Sequence, residues 1–196
     1  MLSYKDSLNV LKKTRALLEG HFVLTSGLHS NKYVQCAKLL SYPNAASKIC
    51  SSLAEKILKS FPSIDLILSP ALGGIVIGYE IGRRLKKEAI FSERVEGKFQ
   101  LRRGFSIKKG TKVLIVEDVI TTGKSILECA KLAKKSNAKI LGFACIIDRS
   151  NKKNLLIKNN RIISQVKISI PVYKKNCLPP FLKRIPETKQ GSRFLK

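Results

Sequence analysis

The chain is poor in acidic residues, histidines and long apolar runs. It has 13 Asp or Glu against 38 Lys or Arg, and only two histidines, in 196 residues. Its five cysteines form no C-x-x-C pair, and their spacing fits no zinc site. No apolar run approaches the roughly 20 residues of a membrane span, and residues 1–6 contain no signal-peptide core. These absences argue against a structural zinc site and a membrane partner, and predict reduced thiols in a cytoplasmic protein.

The formal net charge of +25 allows two interpretations. One is a nucleic-acid-binding surface, and the other is a set of solvated lysines spread over the protein. The basic residues are scattered, somewhat denser after Arg149, and no RNA-binding signature accompanies them. Nucleic acid is therefore not an expected partner, although a basic surface would attract a small polyanionic substrate.

Residues 112–125, KVLIVEDVITTGKS, contain the most informative pattern. The run 113–116 is typical of a buried parallel strand. Two acids follow where that strand is expected to end, and small polar residues then open a helix predicted over 126–135. Unpaired N–H groups at a helix start favour a phosphate, whereas carboxylates suit hydroxyl groups. A ribose 5-phosphate would fit both parts of this pattern, with its phosphate at the helix start and its vicinal diol at the two acids.

Two other interpretations of this stretch were weighed. A Walker A loop needs glycine at position 118, which is Asp118 here, so that interpretation fails. An ordinary strand–turn–helix junction capped by threonine remains an alternative. The combination of an acid pair, two threonines, a glycine and a serine directly after a buried strand favours the ligand site.

Apolar patterns along the chain predict alternating strands and helices. Helices are expected over 3–18, 45–60, 74–87 and 126–135, and strands over 64–69, 89–93, 113–116, 140–148 and within 162–170. Such alternation predicts an α/β fold with a parallel sheet flanked by helices. We expect one domain over 1–196, in which roughly residues 1–40 form a small N-terminal lobe and 62–170 the α/β core. The tail after Pro171 is expected to be irregular and to lie on the surface.

Four segments together resemble the type I phosphoribosyltransferases, and among them the orotate phosphoribosyltransferases. They are residues 112–125 and the stretches 20–33 (GHFVLTSGLHSNKY), 69–79 (SPALGGIVIGY) and 91–105 (FSERVEGKFQLRRGF). The resemblance implies a hood lobe over the strand ends. It also implies transfer of ribose 5-phosphate from phosphoribosyl pyrophosphate (PRPP) to orotate, giving orotidine 5-phosphate and pyrophosphate in pyrimidine biosynthesis.

The resemblance assigns most of the PRPP site to the signature stretch. Glu117 and Asp118 would hold the ribose hydroxyls and act in catalysis, and the 5-phosphate would lie on the loop that follows. The implied PRPP contacts are Glu117, Asp118, Val119, Ile120, Thr121, Thr122, Gly123, Lys124 and Ser125, with Ala71, Leu72 and Gly73 for pyrophosphate. A cis peptide is expected between Ala71 and Leu72. Mg²⁺ would bind mainly through PRPP, without direct side-chain ligands.

The remaining implied residues belong to a mobile loop and to the orotate site. Residues 94–104 match the family's catalytic loop, whose cations here are Arg94, Lys98, Arg102 and Arg103. In the family this loop reaches the neighbouring subunit, so a homodimer with a shared loop is expected. Orotate would contact Thr121, Arg149, Ser26 and Tyr33, with the Arg149 guanidinium pairing with its carboxylate.

Three positions depart from the family pattern. Gly73 and Thr25 stand where relatives carry lysines, and the loop lacks the histidine of a Lys-x-His motif. Two alternatives to orotate transfer remain, and the net charge of +25 is what favours the second of them. One is a phosphoribosyltransferase for another nucleobase, and the other is a regulator that kept the PRPP fold and binds RNA.

Overall fold

The computed structural model describes residues 1–24, 26–151, 155–157 and 161–189. These residues form the α-helices α1 (Tyr4–Lys13), α2 (Cys36–Leu40), α3 (Pro43–Ser60), α4 (Gly73–Leu85), α5 (Lys124–Lys135) and α6 (Pro180–Lys183), and a short 3-10 helix at Lys175–Cys177. Ten strands accompany them: β1 (Leu17–Val23), β2 (His29–Val34), β3 (Leu66–Pro70), β4 (Glu88–Val95), β5 (Lys98–Leu101), β6 (Lys112–Ile120), β7 (Lys139–Asp148), β8 (Ile162–Lys167), β9 (Val172–Tyr173) and β10 (Glu187–Lys189).

The larger sheet has six strands in the order β5-β4-β3-β6-β7-β8. All neighbours pair in parallel except β4 and β5, which form an antiparallel hairpin. Strand β6 lies near the centre, between β3 and β7. The predicted α/β class with a parallel sheet flanked by helices is confirmed. The carboxyl ends of β3, β6 and β7 meet at one edge, where ligands bind in such sheets.

Helices cover both faces of this sheet, which explains the continuous apolar run in β6. Leu114 and Val116 pack with residues of α3 and α4 in one core. Val113 and Ile115 point to the other face and pack with α5 residues, among them Ile126. Because successive strand residues alternate between faces, a strand covered on both sides must be apolar at every position.

A second, four-stranded sheet has the order β10-β1-β2-β9. Its central pair comes from the N-terminal segment, where Leu17 lies opposite Val34 and Leu18 opposite Tyr33. The predicted helix over 3–18 is therefore too long. Helix α1 ends at Lys13, and Arg15 adopts a left-handed φ of 57°, which reverses the chain before β1. Pairing with β2 satisfies backbone groups that a longer helix would otherwise have paired.

Two further expectations are corrected. Strand β6 continues to Ile120, so the acid pair lies inside the strand rather than at its end; pairing with β7 reaches from Lys112 to Ile120 and holds it extended. The tail after Pro171 is not wholly irregular, because β9 and β10 add edge strands to the N-terminal sheet. Among the described residues, no helix is both long and apolar enough to cross a membrane.

Candidate active site

The loop after β3 and the signature strand β6 meet at the carboxyl edge of the sheet. The peptide bond between Ala71 and Leu72 is cis, as predicted. The next residue, Gly73, approaches the acid pair so closely that a β-carbon there would lie 3.0 Å from Asp118 Oδ1. The two loops assigned to pyrophosphate and to ribose thus form one continuous surface around the Asp118 carboxylate.

Both signature carboxyl groups hold their protons more tightly than free acids. Burial, followed by the neighbouring charge of Asp118, raises the pKa of Glu117 to about 8, although the Ser125 hydroxyl donates to it. Burial also raises the pKa of Asp118, while the N–H of Val119, which donates to Oδ1 at 2.8 Å, opposes the shift. These two buried carboxyl groups lie close together. A hydroxyl group that donates a hydrogen bond to them, or a cation beside them, would stabilise their ionised forms.

The turn between β6 and α5 depends on a glycine, Gly123. Gly123 adopts a φ of 76°, and a β-carbon there would lie 2.6 Å from Ile157 Cδ1, so both conformation and space require glycine. The Thr122 carbonyl accepts from Leu156 N at 2.9 Å, which holds the turn against the following segment. Thr121, Thr122 and Lys124 are exposed at the start of α5. This arrangement can receive a phosphate.

Arg149 follows β7 and carries a buried, unpaired donor. Its backbone N–H donates to Ile120 O at 2.8 Å, which places the residue beside the end of β6. Within the described part of the chain, its Nε is buried without a hydrogen-bond partner, and no carboxylate lies in salt-bridge range. Burial lowers the pKa of the guanidinium from its usual value. A buried guanidinium without a counterion is costly unless a ligand supplies the anion.

The N-terminal segment reaches this edge at the junction of β2 and α2. The Cys36 thiol lies 3.9 Å from the Asp118 carbonyl oxygen. Burial raises the pKa of this thiol well above its usual value, and Asp118 and Arg149 are both near enough to act on it. Tyr33 is likewise near enough to influence Arg149. Ser26 is exposed in a turn, and no described contact joins it to Arg149 or Asp118; Thr25 lies outside the described residues.

The three arginines of the predicted loop lie on or directly after the β4–β5 hairpin and are paired with acidic residues of the chain. Arg94 donates to Glu128 Oε2 at 2.7 Å and lies over the Phe99 ring at 4.1 Å. Arg103 donates to Glu93 Oε1 at 2.6 Å, and Arg102 lies 4.0 Å from the same carboxylate. Phosphate binding would have to compete with these acid partners.

Two of these cations share a cavity with the cis peptide. The cavity has a volume of about 290 Å³, and its lining includes Ala71, Leu72, Phe91, Arg94 and Arg103. Lys98 lies elsewhere, in a separate surface groove between the hairpin and α5. The structure therefore brings Arg94 and Arg103 towards the pyrophosphate loop and leaves Lys98 apart from it.

Three contributors to the site were not predicted from the sequence. Glu93 and Glu128 hold the hairpin arginines, and Cys36 joins the hood to β6. Glu93 could have been suspected, since it directly precedes Arg94. No sequence pattern around Glu128 or Cys36 indicates these contacts, because their partners are distant in sequence.

Comparison with known proteins agrees with this geometry. Residues 39–173 match the phosphoribosyl transferase domain. The chain is 44% identical over 194 residues to the orotate phosphoribosyltransferase of Parvibaculum lavamentivorans (strain DS-1), with 97% of this chain and 99% of that relative covered.

Solved structures share the fold at lower identity. An orotate phosphoribosyltransferase from Aeropyrum pernix matches with a TM-score of 0.68 at 24% identity, covering 82% of this chain and 92% of the other. An adenine phosphoribosyltransferase from Saccharomyces cerevisiae matches with a TM-score of 0.66 at 17% identity, covering 81% and 99%. The fold is thus common to enzymes for different bases. The relative at 44% identity, in contrast, is an orotate phosphoribosyltransferase. The chain belongs to the phosphoribosyltransferase family and, within it, to the orotate phosphoribosyltransferases.

Proposed function

We propose that this enzyme transfers ribose 5-phosphate from PRPP to orotate, releasing pyrophosphate and forming orotidine 5-phosphate. The observation that carries the choice of base is Arg149, whose buried Nε has no partner among the described residues. Orotate has a carboxylate that a guanidinium fork can bind with two hydrogen bonds. The relative from Parvibaculum lavamentivorans, an orotate phosphoribosyltransferase, supports the same choice.

In this proposal the signature residues hold the ribose phosphate. The turn at Thr121–Ser125 and the start of α5 receive the 5-phosphate, because exposed hydroxyls and helix N–H groups meet there. Glu117 and Asp118 accept from the ribose hydroxyls. As the bond from C1 to pyrophosphate breaks, positive charge develops on the ribose ring, and nearby carboxylates stabilise it. Orotate then bonds to C1 from the opposite side, with inversion.

The leaving group is assigned to the loop after β3 and to the hairpin arginines. Gly73 borders Asp118, and Arg94 and Arg103 face the same cavity as the cis peptide. We propose that these arginines exchange their bonds to Glu128 and Glu93 for pyrophosphate oxygens when substrate binds. Cations that engage only in the substrate complex release the product afterwards.

Mg²⁺ is proposed to accompany PRPP. Burial raises the pKa values of Glu117 and Asp118, and a hard divalent ion or its bound water beside these carboxylate oxygens would favour their ionised forms. Magnesium would neutralise pyrophosphate charge. The protein residues position the two carboxylates for that ion and for the ribose hydroxyls, with most contacts made through the substrate.

We further propose a homodimer in which the hairpin cations that do not face their own chain's cis peptide, Lys98 and Arg102, serve the neighbouring site. A row of exposed apolar side chains at the start of α4 and on the residue before it supports it: Leu72 is 84% exposed, Val76 51% and Tyr79 66%. These residues are spaced at i, i+4 and i+7, so they share one helix face. Covering that face with a second copy would bring the partner close to the pyrophosphate loop. Sedimentation of Val76→Glu against wild type tests the interface, and a monomeric variant is the expected result.

The proposal places the enzyme in the cytoplasm as one domain, with a hood formed by roughly residues 1–40 and a core by 62–170. All five cysteines are free, and four are buried. Free thiols of this kind persist in a reducing compartment.

The decisive assay follows the fall in orotate absorbance with PRPP and Mg²⁺. Hypoxanthine, adenine and uracil are run beside it, each with product detection by chromatography. Turnover of orotate alone supports the proposal. Turnover of another base in preference to orotate contradicts it, as does RNA binding with a steep salt dependence in a protein that consumes no PRPP.

A further inference from the structure

Three polar side chains with metal-binding atoms meet on one face of the hood sheet. They come from three adjacent strands: Glu187 from β10, His21 from β1 and His29 from β2. His21 lies opposite Glu187, and His29 lies opposite Val23, two residues beyond His21. Because alternate strand residues share a face, this register points all three side chains to the same side.

The two imidazoles are buried and in direct contact. Each histidine is only 2% exposed. His21 Nε2 lies 2.7 Å from His29 Nδ1, and His29 Nδ1 lies 3.9 Å from Glu187 Oε1. One potential ligand atom from each of the three residues falls within 4.8 Å of the others.

The hydrogen bonds determine the protonation of the histidines. His21 Nδ1 lies 3.0 Å from the Ile185 carbonyl oxygen, which can only accept, so Nδ1 carries the proton. In neutral His21 the lone pair is then on Nε2, directed at His29. A histidine whose second nitrogen donates to a backbone carbonyl is oriented in the way typical of metal ligands.

We propose that His21, His29 and Glu187 form a binding site for a divalent transition-metal ion of the Zn²⁺ class. Two imidazole nitrogens and a carboxylate oxygen are the ligands that such ions accept. Bonds of about 2.0–2.1 Å in a tetrahedral arrangement separate two ligand atoms by about 3.3 Å. The 2.7 Å contact must therefore open and the 3.9 Å contact close, each by about 0.6 Å.

Metal binding requires one tautomeric change. In the metal-free protein His29 Nδ1 donates to the His21 lone pair. As a ligand, His29 must offer the Nδ1 lone pair and carry its proton on Nε2.

Solvent can reach the site from the side of the C-terminal segment. A cavity of about 430 Å³ is lined by His21, Ile185 and Glu187 together with Lys183 and Arg184. The Glu187 side chain is 47% exposed, so water can supply the fourth ligand. The two cations oppose a divalent ion, and we expect binding weaker than in a closed four-ligand site.

Such an ion would fasten the C-terminal strand to the hood. His21 and His29 belong to the N-terminal pair of strands, whereas Glu187 belongs to β10, which pairs along only three residues. An ion joining them stabilises the folded form in proportion to its occupancy. None of the three residues is assigned to PRPP or orotate.

The test is titration of Zn²⁺ into tag-free, metal-stripped full-length protein, followed by calorimetry. The chain has only two histidines, so ¹⁵N imidazole spectra report the site directly. The variants are His29→Gln, Glu187→Gln and, as a matched control, Cys177→Ser, which removes the one exposed thiol. Thermal melting in metal-free buffer checks that each variant folds. If the buried His29→Gln variant does not fold, the Glu187→Gln variant still tests the site, because Glu187 is exposed.

We expect one Zn²⁺ per chain, a raised melting temperature and shifts at His21 Nε2 and His29 Nδ1. Glu187→Gln should weaken binding by at least about tenfold, the loss that removal of an outer-shell partner already causes. Cys177→Ser should bind like wild type. Absence of saturable binding, binding retained by both His29→Gln and Glu187→Gln, or binding lost in Cys177→Ser overturns the proposal.

Discussion

Gly73 packs directly against the Asp118 carboxylate, so a side chain at position 73 has no space unless the carboxylate shifts. A β-carbon at position 73 would lie 3.0 Å from Asp118 Oδ1 and 3.1 Å from Cγ, closer than ordinary van der Waals contact. Because residue 73 has no side chain, the loop after β3 can pack directly against Asp118.

The first prediction follows from that contact. Gly73→Ala should displace the Asp118 carboxylate by a few tenths of an ångström and lower kcat by about tenfold, since small misplacements of reacting groups are expensive. Steady-state kinetics measure the effect, and the double variant Gly73→Ala with Asp118→Ala is the control. Alanine at 118 removes the obstacle, so Gly73→Ala should then cost nothing more. Equal losses in both backgrounds would contradict the steric explanation.

The second prediction concerns the charge on Asp118. Asp118→Asn keeps the shape and removes the carboxylate that faces developing positive charge, so kcat should fall by about 10²–10³ while PRPP binding changes little. Asp65→Asn, the same change beside the other end of β6, should be nearly neutral. An unchanged kcat with only a raised KM for PRPP would sink the assignment.

The third prediction separates the two substrates. Arg149→Ala should raise KM for orotate by about tenfold to a hundredfold, the equivalent of about 1.5–3 kcal/mol for a lost charge-assisted pair. PRPP binding should stay nearly intact. Arg149→Lys keeps the charge but not the fork and should recover only part of the loss. Calorimetry that finds orotate affinity in Arg149→Ala within about twofold of wild type would rule out this role.

The fourth prediction tests the shared hairpin. Asp118→Asn chains are mixed with chains in which Lys98 and Arg102 are alanine. Each homodimer should be nearly inactive, whereas a heterodimer contains one site with an intact signature and the partner's intact hairpin. Activity should return to about half of wild type per heterodimer, as two-fold symmetry requires. If heterodimers form and no activity returns, the hairpin does not serve the neighbouring subunit.

The fifth prediction links Glu117 to stability. Its pKa is about 8 in the folded protein against an ordinary 4.5, so between these values the folded state keeps a proton that the unfolded state releases. The free energy of unfolding should therefore fall as pH rises from 4.5 to about 8. Glu117→Gln should reduce this slope, leaving the part due to Asp118, whose pKa is also raised by burial.

Thermal melting across this pH range provides the measurement. Glu88→Gln, at an exposed position, is the control and should leave the slope unchanged. A Glu117→Gln protein with the wild-type slope would show that Glu117 is ionised throughout.

Much of the core and the signature could be predicted from local sequence. The apolar run of β6 is buried on both faces, so every position had to be hydrophobic, and this pattern is readable without a structure. The acid pair, Gly123 and the small polar residues are neighbours in sequence and remain neighbours in space. The cis peptide was implied by family resemblance, because the stretch 69–79 keeps the family's order of residues.

Other features depended on contacts between distant segments. Leu17 and Leu18 have helical spacing with Leu11, yet they form a strand because β2 offers backbone partners. Glu128 holds Arg94, and Glu187 joins two histidines near the opposite end of the chain. The sequence by itself determined the parallel strands of the larger sheet, their buried faces and the local ligand loops, since these depend on neighbouring residues. Only the tertiary structure decided which edges pair and which charges meet, because those energies arise from groups that folding alone brings together.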